Sequence, residues 1–497
     1  MQYMHSKKEL TGPVRHALRR AAPEPEDLRM TTEASTIAAT PAPPASAVAH
    51  SARTQLLLTA PIGRTLLRLA APNVVAMFVM AAVSIAEGFF AGVLGITALA
   101  GLALVFPLVM LTQMLSAGAM GGAISGAIAR ALGNSNPERA GNLTWAAWSI
   151  AVTIAVLSAV LMDLFGRDVF ELLGGGGETV DAALAYAGVF FPGCITIWLC
   201  HSSLSVIRGS GNMGIPSMVL FLVSLGSIPI AGTLSLGWGP FPALGMQGLA
   251  AGHVLAYAIG AIVALTFVGT GRVGFLVRGR LKGLRRDLYR DILSVGLIAS
   301  LSTTQTVLTT VLMVGLVGLH GEAALAGYGL GARLEFLMIP VVFGIGAAMT
   351  AMVGANIGAG NRSRALRVAW TGSFAAALIV GSIGAVLSLQ PDLWLRIFLD
   401  ASDAAALEAG RSYFRTVAPF YFFYALGLAL FFASQGASRM VWPMIASIFR
   451  IVTAFGLALF LTRSMGMGVA GVFSGVAAGM LVYGILTALS VRLTRWR

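Results

Sequence analysis

Twelve times between residues 64 and 491 the chain runs for roughly 20–30 residues with little or no charge, and each run closes on charged or turn-forming residues. In hydrocarbon a backbone must satisfy its own hydrogen bonds, so runs of this length specify helices that cross a bilayer. They fall at 64–92, 98–129, 141–166, 182–207, 213–237, 244–271, 290–318, 323–354, 365–390, 405–434, 440–462 and 466–491. Composition agrees. Of 497 residues, 57% are hydrophobic and 11% charged, where a soluble chain carries about 25% charged residues. The fold class is an all-α polytopic membrane protein with twelve transmembrane helices. Sixty glycines suit helices that approach closely, and Gly122–Gly126 and Gly354–Gly358 have the GxxxG spacing.

A net charge of +13 raises nucleic acid as a partner. The cations lie between apolar runs, however, without the aromatic–basic clusters of an RNA-binding surface, so no nucleic-acid partner is expected. The bilayer is the partner. Of the 33 Lys and Arg, 26 fall in the first residues, alternate loops and helix ends on one side, and five on the other. This asymmetry places both termini in the cytoplasm of a plasma (inner) membrane protein. Arg333 and Arg450 are the two cations inside spans. Residues 1–56 include "ASTIAATPAPPASAVAHSA", too poor in large apolar side chains to fold, and read as a disordered cytoplasmic tail. Cys194 and Cys200 sit in an apolar run and read as packing residues; no metal site is expected.

The twelve spans form two copies of six. "ALAG" at 98–101 recurs at 324–327, and "GNSNPERA" at 133–140 answers "GAGNRSRA" at 358–365. Gly209, Met213 and Pro216 correspond to Gly436, Met440 and Pro443. Three blocks at shifts of 226, 225 and 227 indicate a duplication. An even number of spans per copy gives both copies one orientation, related by a pseudo-two-fold axis along the membrane normal. We expect two six-helix bundles, 57–271 and 290–497, joined by a basic cytoplasmic linker at 272–289. That is the architecture of a secondary transporter. An enzyme is not expected: none of the histidines lies in an HExxH setting, and no paired carboxylates suggest hydrolytic chemistry.

One residue conflicts with an apolar span. Glu87 follows an uncharged stretch from Leu69 to Ala86, and a carboxylate at a bilayer centre costs roughly 2.5–3.5 kcal/mol on insertion scales. The residues around it, with "GYGLGARLEFLMIPVVFGIGAAMTAMVGANIGAGNRSRALRVA" at 327–369, resemble the multidrug and toxic compound extrusion (MATE) family over about 64–490. The resemblance implies a six-plus-six exporter that exchanges organic cations or other amphiphiles for H⁺ or Na⁺. Pro72, Glu87 and Gly95 have the spacing of the family's first-helix proline, acid and glycine, although the family's usual acid is an Asp. A carboxyl in a low-dielectric cavity can load a proton on one side and release it on the other. Glu87 is therefore assigned as the coupling acid, against a structural Glu at a wet helix end.

Other positions depart from the family pattern. Ser227 and Ala231 stand where the fifth helix often carries Asn or Asp, Gln305 or Thr306 replaces a seventh-helix acid, and Tyr424 or Ala425 a tenth-helix Asp. This weakens a Na⁺ site in the second half and favours coupling by protons, with no cofactor. His253 either shares a proton with Glu87 or is a neutral histidine bonded to backbone or water; His201 has the same alternatives. Arg333 and Glu335 resemble a basic-x-acidic element of the eighth helix. Two residues apart they cannot face each other, and Arg450 is a candidate partner for Glu335 in a structural ion pair; contact with substrate is the alternative. Phe89, Phe90, Tyr421 and Tyr424, the last two in "PFYFFYALGLALFF" at 419–432, are candidate cavity walls for flat lipophilic cations. The expected function is a monomeric antiporter exporting small cationic or amphiphilic compounds. Na⁺-coupled export of one endogenous metabolite and flipping of a lipid-linked precursor are the alternatives.

Overall fold

The computed structural model describes residues 45–277, 285–400, 402–494 and 496. Among these, a helix Ala45–Thr59 leads into twelve long apolar helices. They are α1 (Ile62–Leu94), α2 (Ile96–Gly133), α3 (Pro137–Leu172), α4 (Glu178–Gly209), α5 (Gly214–Leu236) and α6 (Gly245–Gly269) in the first half. The second half holds α7 (Arg286–Gly318), α8 (Glu322–Gly358), α9 (Arg362–Leu389), α10 (Ala404–Ala437), α11 (Val441–Arg463) and α12 (Gly468–Thr494). Each is long and apolar enough to cross a membrane, as the hydropathy pattern requires.

The tail expected over 1–56 lies outside the described residues up to 44, as does the linker at 278–284. From Ala45 onward the disordered reading needs correction, because the chain is helical there. Its end is fastened: Leu57 is buried, and its carbonyl accepts a hydrogen bond of 3.1 Å from Asn356 Nδ2. Likewise α7 begins at Arg286 rather than 290. Asp287 in its first turn favours the positive end of the helix dipole and bonds both Arg285 and Arg139.

Two clusters of buried side chains make up the interior. One joins α1 to α7, with Phe431, Phe432 and Met440 added from the second half. The other joins α7 to α12, with Leu57, Leu66 and Ala70 added from the first. The halves meet closely at the end carrying residues 134–136 and 359–361, here called the basic end. There α2 crosses α8 on glycines. A Cβ at Gly358 would lie 2.1 Å from the Arg130 carbonyl oxygen, and one at Gly133 2.1 Å from that of Ala355. The GxxxG pairs belong to this crossing: Gly126 faces the Gln435 carbonyl and Gly354 faces Ala129. Charge reinforces it. Arg130 bonds Asp291 at 2.7 Å and the Gly436 carbonyl at 2.9 Å, and Arg139 reaches Asp287 at 3.0 Å and Asp291 at 3.2 Å.

The glycine crossing has a measurable consequence. Gly358→Ala forces α2 and α8 apart and destabilises the closed contact by about 1–3 kcal/mol. Gly315→Ala, where a Cβ meets nothing within 4 Å, leaves stability unchanged. Cys194 and Cys200 are both fully buried, so their reaction with a thiol-specific dye on heating reports unfolding. Equal unfolding temperatures for the two variants would contradict the crossing.

Candidate functional site

Inside the first half, four helices bring polar side chains to one point. Glu87 on α1 and His253 on α6 are both 6% exposed, and the imidazole Nδ1 lies 2.8 Å from Glu87 Oε1. The close approach has a local cause. Gly252 precedes His253, and a Cβ there would lie 2.3 Å from the Ala231 Cα, so a larger residue would push α6 off α5. One helical turn beyond, Tyr257 stacks on the His253 ring at 5.1 Å between centroids.

Gln113 on α2 completes the group. Its Nε2 donates to His253 Nε2 at 3.1 Å and to the Tyr257 hydroxyl at 3.2 Å. Its Oε1 accepts from His201 Nε2 at 2.8 Å; His201, on α4, is fully buried. With the Gln113 amide in this orientation, His253 Nε2 receives an amide N–H, so its ring proton sits on Nδ1 and is donated to Glu87. Immediately after Gln113, α2 changes to a π-helix over Met114–Met120, an irregularity frequent at functional sites. It spans "MLSAGAM" and leads directly into the glycine crossing.

The second half holds a separate group. Glu335 on α8 accepts a hydrogen bond from the Tyr413 hydroxyl on α10. Gly331, one turn before Glu335, leaves room for that ring: a Cβ there would fall 2.0 Å from Tyr413 Cε1. Tyr421 and Tyr424 line a small cavity with Glu335. The Arg450 guanidinium lies between the Tyr424 and Tyr483 rings, 5.5 Å from each centroid. The expected Glu335–Arg450 ion pair therefore needs correction. Among the described residues the two are not within ion-pair distance, because a phenol holds the carboxylate and two aromatic faces hold the cation.

The remaining candidates lie apart from these groups. Ser227 is buried but donates to the Ser224 carbonyl of its own helix at 2.8 Å. Thr306 bonds the Ser302 carbonyl at 3.0 Å, and Gln305 Nε2 bonds the Ser447 carbonyl, joining α7 to α11. Arg333 is exposed, its guanidinium 5.9 Å from the Phe398 ring. Phe89 is 66% exposed, while Phe90 packs edge-on against Trp238 and over Gly232 of α5. Pro72 lies within α1, and Asn73 beside it accepts the Ser217 hydroxyl at 3.1 Å. Sequence reasoning missed Gln113 and Tyr413. Gln113 did leave a signal, as the one amide side chain in the second apolar run.

Residues 72–233 and 298–460 match the MatE family, one segment in each half. A probable multidrug resistance protein NorM of Thermotoga maritima is 26% identical over 369 residues, covering 74% of this chain and 78% of that relative. An FAD transporter of Shewanella oneidensis is 26% identical over 316 residues, covering 62% of this chain and 68% of its own. Among solved structures, MATE in the straight conformation superposes with a TM-score of 0.80 at 24% identity, over 88% of this chain and 97% of that one. A MOP superfamily transporter from Pyrococcus furiosus, described as having a binding pocket of reversed polarity, gives 0.78 at 24% identity, over 88% and 97%. At that identity the likeness establishes the fold.

The second-half group can be tested by a double-mutant cycle. If the Tyr413 hydroxyl holds Glu335, Tyr413→Phe and Glu335→Gln are non-additive in thermal stability, with a coupling of about 0.5–3 kcal/mol. Strict additivity would remove the contact.

Proposed function

The chain belongs to the MatE family, and we propose that it is a proton-coupled exporter of cationic or amphiphilic compounds with Glu87 as its coupling acid. The contact between Glu87 and His253 carries the reading. A carboxylate facing a neutral imidazole has one negative charge, held away from water among apolar helices. It accepts either one proton or the attraction of an organic cation, and exchange between the two is antiport. The cavity beside Glu335, lined by Tyr421, Tyr424 and aliphatic side chains, has room for about one water molecule, so a lipophilic cation would reach its aromatic faces only when the surrounding helices part. Arg450 stands near that carboxylate, and its fixed charge weakens the attraction of any cation there, so Glu87 rather than Glu335 is the charge that exchanges for cargo.

Transport follows from the way the halves meet. We take the basic end as cytoplasmic, on the excess of Lys and Arg there. With α2 and α8 closed together at that end, parting of the halves at the other end would admit protons to the acid from the outside. Separation of the glycine crossing then opens the other side.

An anionic metabolite is the second reading. It is favoured by Arg208, which is 2% exposed and whose Nε and Nη2 have no hydrogen-bond partner among the described residues. A buried guanidinium without a counter-charge attracts an anion, and one relative is an FAD transporter.

The test uses proteoliposomes carrying wild type or Glu87→Gln, a fluorescent organic cation or a flavin nucleotide as cargo, and a pH or Na⁺ gradient imposed separately. We expect efflux of the cation driven by the pH gradient alone and abolished in Glu87→Gln. Na⁺-driven efflux that survives the substitution would contradict the proposal. Movement of the flavin but not the cation would select the second reading of the substrate.

A further inference from the structure

The chain of bonds from Glu87 to His201 admits two complete arrangements, and they differ by one proton. In the structure, His201 Nε2–H donates to Gln113 Oε1, Gln113 Nε2–H to His253 Nε2, and His253 Nδ1–H to Glu87. If the Glu87–His253 pair gains a proton, it goes either to the second Glu87 oxygen, which leaves the chain as it is, or to the imidazole, so that His253 carries hydrogen on Nε2 with its Nδ1–H kept or passed to Glu87. Where the imidazole takes it up, an Nε2–H points at the Gln113 NH₂, donor against donor. The conflict ends only when the amide turns over, so that Oε1 accepts from His253 and Nε2 donates to His201. His201 must then offer a bare Nε2 and carry its proton on Nδ1. Without the extra proton the turned-over chain fails, because a bare His253 Nδ1 would face the carboxylate.

We infer that Gln113 is a positioning residue for proton coupling: its amide turns over when the Glu87–His253 pair is loaded and transmits that state to His201. The inference rests on the pair taking up the transported proton. His201 Nδ1 has no partner among the described residues, so the loaded arrangement creates a buried N–H that must find one. Leaving a buried donor unmet is unfavourable, and that favours movement of α4 against α2. Gln113 also sits at the last α-helical residue before the π-helical turn of α2, which leads to the crossing with α8.

The titratable groups around the pair are few. From α4 they are Tyr186, Cys200, His201 and Arg208; from α6 they are His253 and Tyr257. The polar residue that α2 brings to the pair, Gln113, does not titrate. Arg208 is charged in both states and does not supply the difference. The Tyr257 hydroxyl lies 3.2 Å from the amide nitrogen and 3.4 Å from its oxygen. It can donate or accept, so it follows either orientation.

Nitrogen-15 NMR of ring-labelled histidine in the full chain, titrated in detergent without substrate, reads each tautomer directly. His201 and His253 are identified by their loss in His201→Gln and His253→Gln. In wild type at high pH we expect His253 as the Nδ1–H form and His201 as the Nε2–H form. As His253 loads, His201 should change to Nδ1–H with the same midpoint. In Gln113→Met, His253 still titrates and the linked change at His201 is lost. If His253 titrates in a Glu87-dependent way while His201 keeps its tautomer in wild type, the amide does not act as inferred, and Glu87 remains the coupling acid. If His253 shows no titration that depends on Glu87, the coupling reading falls, and this inference with it. The wild-type measurement decides even where a variant fails to fold.

Discussion

A carboxylate among apolar helices persists only where a donor meets it, and the first half is arranged around that need. Glu87 meets His253 Nδ1 at 2.8 Å, which requires α1 and α6 to lie within a side chain's reach. The approach is set by small residues. Gly252 lets α6 rest on Ala231 of α5, and Gly232 lets the Phe90 ring of α1 lie against α5. A methyl group at either glycine would displace a helix and separate the pair, leaving each member buried alone, which costs far more than the pair itself. Small-residue packing and the buried acid are therefore one constraint seen at two scales.

Duplication supplied the frame twice but filled it differently. At the repeat shift of 226, Tyr257 corresponds to Tyr483, and both rings face a nitrogen base: the His253 imidazole in one half and the Arg450 guanidinium in the other. His253 itself corresponds to Gly479, where a Cβ would lie 2.8 Å from that of Ala454 on α11. In the second half α12 presses closer to its neighbour, no imidazole fits, and the acid sits on α8 at Glu335, bonded by a phenol. One half thus holds a carboxylate–imidazole pair. The other holds a carboxylate beside tyrosines and aliphatic side chains, with a cation already stacked nearby.

Much of this was legible in the residues. The twelve spans followed from the length of the apolar runs, since hydrocarbon admits no other use of such segments. The importance of Glu87 followed from its cost in that setting. The partnership with His253 was one of two open readings, because residues 87 and 253 are joined only by the fold. Gln113 stands 140 residues from His253, and no local pattern connects them. The expected Arg450–Glu335 ion pair was drawn from charge alone. It failed because tyrosines compete for both partners, and a long guanidinium lies flat on aromatic faces as readily as against a carboxylate. Arg208 was counted among the cations of loops and helix ends because it ends a span; in the structure it is buried, with Phe343 of α8 at 6.0 Å from the guanidinium.

The central claim, that Glu87 exchanges its proton for substrate, is most directly tested by proton release on binding. Purified protein in weakly buffered detergent, with a pH-sensitive dye in solution, is mixed with the fluorescent organic cation. Wild type should acidify the medium in proportion to the cation bound, and Glu87→Gln should bind without acidification. Equal proton release from both proteins would mean that another group gives up the proton, and Glu87 would then be a structural acid held by His253.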